Sequence, residues 1–181
     1  ESAFRVRATQ LDHHTPVLAY AWEPSQQLKV RRERLEQLGL KRGRWLQTLK
    51  AAVLDGRSDE IIAVPASGEF TAGQLADKIL LVEAGKKLVY ATDLADSADN
   101  RARLTTLARG AHSLFCEAPF MLADIEQARR TGHLTTRACA EIAEAAGVGK
   151  LLPFHFSRRY YNKLTEVYAD IGRFTQRLVL P

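Results

Sequence analysis

The alternation of apolar and polar residues from Phe4 to Leu11 predicts a strand, and Pro16–Trp22 reads as its neighbour across Asp12-His13-His14-Thr15. The pattern then changes. From 25 to 53 the chain is polar and basic, with Leu35 and Leu38, then Trp45, Leu46, Leu49 and Val53 at helical intervals broken by Gly39 and Gly43. That spacing predicts two short helices projecting from the core. Ile61–Val64 reads as a short strand and Thr71–Ile79 as a brief helix or turn. Leu80–Glu83 and Lys87–Thr92 flank Ala84-Gly85-Lys86, which reads as a hairpin.

The remainder alternates helix and strand. Ser97 suits the N-cap of a helix whose Leu104, Leu107 and Ala108 share a face, with Gly110 at its end. Ser113–Cys116 reads as a buried strand, Pro119 to about Thr131 as helical, and Thr135–Ala146 as a helix closed by Gly147. Leu151–Phe156 follows as a strand, then a helix over Arg158–Ile171 and a terminal strand at Arg177–Leu180. Strands leading into β-α-β-α units predict α/β or α+β layering.

Composition narrows the class. The 181 residues are 46% hydrophobic and 26% charged, which excludes a disordered or collagenous chain. No window approaches the run of about 18 apolar residues that a membrane span needs, and the first residues lack the apolar core of a secretory signal. Cys116 and Cys139 are too few for a disulfide framework and have no zinc-motif spacing, so a reducing, cytoplasmic compartment is expected. Between Lys29 and Lys50 eight basic residues face only Glu33 and Glu36, a local charge of +6 in a chain of +5. Such a patch suits a polyanion, or is a solvated helix face without a partner.

Four residues fall at strand ends, where α/β layers carry their chemistry: His13, Asp93, His133 and His155. Histidine and aspartate converging from separate strands make metal or acid/base sites. Each also has a plain structural reading. Asp93 suits a turn cap, His155 a hydrogen-bonded core histidine, and His13 or His133 a surface loop.

The order of motifs adds to this. Gly132-His133-Leu134-Thr135-Thr136-Arg137-Ala138, Ala145-Ala146-Gly147-Val148-Gly149-Lys150-Leu151 and His155-Phe156-Ser157-Arg158-Arg159-Tyr160 resemble the C-terminal motifs of ribonuclease Z. These are tRNA 3′-processing endonucleases of the metallo-β-lactamase superfamily. Upstream, Leu11-Asp12-His13 is similar to the family's third-histidine motif, and Val89-Tyr90-Ala91-Thr92-Asp93 to its strand ending in Gly-Asp-Thr. Cys116-Glu117-Ala118-Pro119-Phe120 is similar to its His-Glu-Ala-Thr motif. The resemblance runs in order from about residue 5 to 165.

It implies an αββα sandwich with two zinc ions, or manganese, at one edge. Asp93 would bridge the metals, His13 (or His14) would bind one and His155 the other. His133 would lie by the scissile phosphate, Glu117 would orient it and Arg159 would contact phosphate. The segment Leu35–Lys50 sits where the family carries its tRNA-gripping arm, within an insertion at about 25–56. Lys41, Arg42, Arg44 and Trp45 replace that arm's Gly-Pro-rich centre, and Trp45 is read either as a base-stacking ring or as core.

The departures are as informative. The family's His-x-His-x-Asp-His motif is absent, since no two of histidines 13, 14, 112, 133 and 155 are separated by two. Three of seven expected ligands remain. Cys116 and Pro119 stand where the family has histidine and threonine. The expectation is a chain that supplies the C-terminal half of one such domain, 1–181, as the start at Glu1 and the lone Met121 also suggest. It would be inactive alone and either paired with an N-terminal half or self-associated as a homodimer. Three functions stand at this point: RNA phosphodiester hydrolysis at tRNA 3′ ends, hydrolysis of a small ester, lactone or cyclic phosphodiester, and metal-free nucleic-acid binding through 29–50.

Overall fold

A computed structural model describes residues 4–181. These form two compact units, residues 24–85 and residues 4–23 with 86–181.

The larger unit is built on a five-stranded sheet. Its strands are β1 (Phe4–Asp12), β2 (Pro16–Pro24), β7 (Leu88–Ala91), β8 (Ser113–Glu117) and β9 (Lys150–Phe154), side by side in that order. β2 runs antiparallel to β7 with Tyr20 opposite Tyr90, while β7, β8 and β9 are parallel. Crossovers join the parallel strands: α4 (Ala98–Ala108) between β7 and β8, and α5 (Ile125–Thr131) with α6 (Thr136–Ala146) between β8 and β9. A last helix, α7 (Leu164–Gly172), packs on α6. Local chemistry sets the helix starts. Ser97 accepts from the Asn100 N–H at 3.2 Å and Thr135 from that of Ala138 at 3.2 Å, while Gly147, at φ 62°, closes α6 in the left-handed region.

One sheet face carries small or medium apolar residues under the helices: Ala19, Ala21, Val89, Ala91 and Leu114 are all fully buried. The opposite face carries the large ones. Leu18, Tyr20, Trp22 and Tyr90 are 49%, 46%, 42% and 42% exposed, and Tyr90 stacks on Phe154 at 5.1 Å.

The smaller unit holds two ribbons. β3 (Gln26–Val30) pairs antiparallel with β6 (Leu80–Ala84), and β4 (Ile61–Val64) with β5 (Gly68–Thr71). Its helices are α1 (Arg32–Gln37), α2 (Trp45–Leu54) and α3 (Ala72–Ile79), the last opened by a capping box in which Thr71 and Gln74 satisfy each other's N–H groups. Leu35, Trp45, Leu49, Ile62, Leu75 and Ile79 form its core.

Several sequence expectations need correction. The Ala84-Gly85-Lys86 hairpin does not form: β6 pairs with β3, and β7 lies between β2 and β8. A small, flexible tripeptide permits a hairpin but does not choose partners, and the five-residue register with β3 decides. The basic stretch begins as strand β3, not helix. The last helix starts at Leu164, because Arg158–Tyr160 forms one tight 3-10 turn. Likewise the segment after Pro119 becomes helical at Leu122–Asp124 and α-helical only from Ile125. Arg177–Leu180 contributes a single bridge, Leu178 opposite Leu151, in place of a strand.

Two leucines separate the covered face from the open one. Leu114→Ala, in β8, is expected to cost about 2–5 kcal/mol, whereas Leu18→Ser is expected to stay within about 0.5 kcal/mol. Urea unfolding of the chain measures both.

Candidate metal centre

The carboxyl ends of β7, β8 and β9 lie along one sheet edge, and each delivers one polar side chain: Asp93, Glu117 and His155. The antiparallel β2 starts at that same edge, so the β1–β2 turn brings His13 there as well. His133 comes from the short loop between α5 and α6.

Glu117 is fully buried and holds the rest together. It accepts from the Asp93 N–H at 2.7 Å and the Leu134 N–H at 3.1 Å. Nδ1 of His133 lies 3.0 and 3.1 Å from its two oxygens, and Nδ1 of His155 lies 3.2 Å from Oε2. A buried carboxylate without such donors would be too costly to keep charged. Burial alone would push it up. The His133 hydrogen bond and charge, with the two N–H groups, outweigh that and hold it below its ordinary 4.5. The same hydrogen bond, opposed by partial burial and aided by the charges of Glu117 and Asp93, lifts His133 above its ordinary 6.5.

The tautomers follow from the partners. A carboxylate only accepts, so Nδ1 of His133 carries its proton and Nε2 is the free nitrogen. His13 is fixed in the same way by a carbonyl, since its Nδ1 lies 2.7 Å from the Gly132 oxygen. The His13 and His133 rings are 4.6 Å apart, and those of His133 and His155 meet edge-on at 5.3 Å. Nδ1 of His155 is 3.7 Å from Asp93 Oδ1 and 3.2 Å from the Thr92 hydroxyl. Donor atoms of Asp93, Glu117, His133 and His155 all lie within 4.8 Å of one another. Asp93 and His155 sit at φ 55° and 60°, a region that costs most residues energy and that recurs at functional sites.

The donor set fits a divalent cation. Asp93 and His155 are part-exposed and approach to 3.7 Å, and His13 adjoins them through the His133 ring at 4.6 Å. Glu117 does not fit as a ligand, because protein donors already occupy its oxygens; it is the carboxylate behind the histidines. Gly132 also matters here. At φ +70°, it would place an added Cβ 2.9 Å from the His14 ring and 3.2 Å from His13 Nδ1.

Of the sequence candidates, Asp93, Glu117, His133 and His155 form the cluster, with His13 adjoining through His133. Arg159 donates to Asp124 at 2.8 Å and lies over the Phe120 ring at 5.3 Å, whose other neighbour is His133 at 6.2 Å. Lys41, Arg42 and Arg44 are exposed in the smaller unit. There Lys29, Arg32, Arg42 and Lys50 line a groove of about 400 Å³ floored by Leu28 and Leu46. Trp45 corrects its stacking role: it is 6% exposed, its N–H donates to the Lys41 carbonyl at 3.0 Å, and it belongs to the core. Sequence reasoning missed Thr92 and Gly132. Thr92 directly precedes Asp93 and was within reach; the role of Gly132 needs a contact across 119 residues.

Comparisons with known proteins bear on the fold and on the sequence likeness. No family model matches the chain. Among solved structures, the metallo-β-lactamase fold protein YhfI from Bacillus subtilis covers 98% of the chain with a TM-score of 0.55 at 13% identity, over 46% of its own length. Human tRNase Z, short form, covers 89% with a TM-score of 0.50 at 18% identity, over 39% of its own length. The fold is that of the metallo-β-lactamase proteins, of which the chain forms about half. Ribonuclease Z of Deinococcus radiodurans is 36% identical over 157 residues, 86% of this chain and 45% of that protein. The chain is similar in sequence to ribonuclease Z proteins over most of its own length, and it spans about half the length of the curated relatives it matches.

The paired shifts give this edge a pH signature. Glu117, held low, contributes stability that is present above 4.5 and lost as pH falls through its folded value. His133, held high, contributes below 6.5 and loses it as pH rises through its folded value. Urea midpoints of the metal-free chain should therefore fall on either side of that window, and Glu117→Gln should remove this dependence. Superimposable profiles for the two proteins would contradict the pairing. Gly132→Ala should also be destabilised, by about 1–2 kcal/mol for the left-handed backbone alone, and should disturb the His13 Nδ1–H signal in nitrogen-detected NMR.

Proposed function

We propose that the chain supplies one wall of the reaction centre of a metal-dependent RNA phosphodiesterase that processes tRNA 3′ ends. The observation that carries this reading is the convergence of Asp93, Glu117, His133 and His155 on one sheet edge of a ribonuclease Z-like chain.

His13, Asp93 and His155 would hold zinc, with manganese as the substitute, Asp93 as the carboxylate ligand and the two histidines through ring nitrogen. Bound there, divalent ions supply a water ionised at neutral pH and offset charge on the phosphoryl oxygens. The protein's own part is distinct. Glu117 accepts from Nδ1–H of His133 and favours the charged ring, whose Nε2–H would donate a proton to the leaving oxygen. Arg159 would bind phosphate beside Phe120. In the smaller unit Lys41, Arg42 and Arg44, with the groove lined by Lys29 and Lys50, would follow the RNA backbone through charge.

The remaining ligands would come from an N-terminal half of the same fold. The exposed row Leu18, Tyr20, Trp22 and Tyr90 supports such a covering sheet, or self-association as a homodimer. Two free, buried cysteines suit a reducing, cytoplasmic compartment. No helix among the described residues is long and apolar enough to cross a membrane.

The full-length protein carrying this chain is expected to hold about two zinc ions and to cleave a precursor tRNA at its 3′ side. His155→Ala should lower zinc content and abolish cleavage. A metal-replete protein inert on precursor tRNA overturns the reading. Ester hydrolysis without phosphodiester hydrolysis would assign a small-molecule substrate, and salt-sensitive RNA binding without metal would leave a binding module.

A further inference from the structure

Asn100 is 1% exposed, yet it is a polar side chain in the first turn of α4, where the helix needs only Ser97 as its cap. Its amide reaches out of the helix. Oδ1 accepts the Asp12 N–H at 2.9 Å, and Nδ2 donates to the Asp12 carbonyl at 2.8 Å and to the Ala95 carbonyl at 2.8 Å. The Ala95 N–H donates to that same Asp12 carbonyl at 2.8 Å. Both donors and the acceptor of the amide are thus used, and the reversed amide would set an oxygen against two carbonyls.

The two segments it joins are the ones that matter at the sheet edge. Asp12 directly precedes His13, and Ala95 is two residues beyond Asp93. His13 sits in a tight turn whose own backbone bond is a single contact, the His13 N–H to the Thr15 carbonyl at 2.9 Å. Asp93 sits at a positive φ that the surroundings must impose. Glu117 holds the Asp93 N–H and the Gly132 carbonyl holds the His13 ring, but neither bond joins the two loops to each other. A planar amide with three bonds in fixed directions does so, and it is anchored on an eleven-residue helix.

We infer that Asn100 is a positioning residue of the metal centre, a buried amide that fixes the separation of His13 from Asp93. The inference rests on the reading of those two residues as metal ligands. Its cost is also plain: a buried amide deprived of partners destabilises the fold, so Asn100 is tolerated in this core only because all three bonds are made.

The test uses the full-length protein carrying this chain and cobalt(II) alone as the probe, with affinity read by chelator competition and the visible spectrum. Asn100→Asp keeps the shape but turns a donor into an acceptor facing two carbonyls. Asn100→Leu keeps the bulk and removes all three bonds. Leu104→Ala, fully buried on the same helix, is the control for stability lost without touching either loop. At a temperature where thermal melts show every variant folded, the Asn100 variants should bind cobalt about 10–100-fold more weakly, with an altered spectrum, and Leu104→Ala should keep the original affinity and spectrum. If neither Asn100 variant folds, Asn100→Ser, which retains one hydroxyl, carries the same comparison. Equal cobalt binding by the unsubstituted full-length protein and the Asn100 variants, or an equal loss in Leu104→Ala, overturns the inference alone. No cobalt uptake by the full-length protein overturns the metal reading and the inference with it.

Discussion

A carboxylate with no access to water must find its hydrogen bonds within the protein, and Glu117 finds them in the loops that follow its neighbouring strands. The backbone of Asp93 belongs to the loop after β7, the backbone of Leu134 and the ring of His133 to the loop before α6, and His155 to the end of β9. Breaking a buried pair by deleting one partner costs about 3–5 kcal/mol, because the other is left uncompensated. The arrangement is therefore closer to a knot than to a set of separate contacts. Each loop is placed by the need of one buried charge, and the polar cluster is a by-product of satisfying it.

Around that knot the ring nitrogens are sorted by what their partners can accept. A backbone carbonyl on His13 and a carboxylate on His133 both select the Nδ1–H form and leave Nε2 open. Asp93 and His155 pay in backbone conformation for pointing at each other, and the sheet around them supplies the rigidity. Arg159, seated on Phe120 and tied to Asp124, extends positive charge along the same edge without entering the cluster.

The larger unit was mostly legible in the chain. Its elements show regular apolar spacing, and its helix starts carry Ser97 and Thr135, so both pattern and capping pointed to the same boundaries. The site residues were legible as strand-end histidines and acids in a familiar order, but their mutual distances were not, since those depend on the parallel pairing of β7, β8 and β9. The smaller unit was harder. Gln26–Val30 reads as polar and basic, and it becomes a strand because it pairs in register with β6, fifty or more residues away, and Leu28 and Leu80 are buried in the same core. Trp45 looked like a ring among cations, and burial with Leu49 and Ile62 claimed it for packing. Glu117 was named as an orienting group; nothing in its neighbours' identities foretold that it would be completely dry.

The connection between β2 and β7 has a consequence for how the chain can vary. The two strands are hydrogen-bonded partners, with Trp22 opposite Leu88, so the chain leaves and re-enters the larger unit at points only about 5 Å apart. A gap of that size is closed in many hairpins by a turn of about two residues. The whole of residues 24–85 is thus a detour from what would otherwise be a simple bend, with its own core and its own charge. Length and charge in that detour can therefore change without altering the register of β2 on β7, which makes the basic surface and the sheet separable parts of one chain.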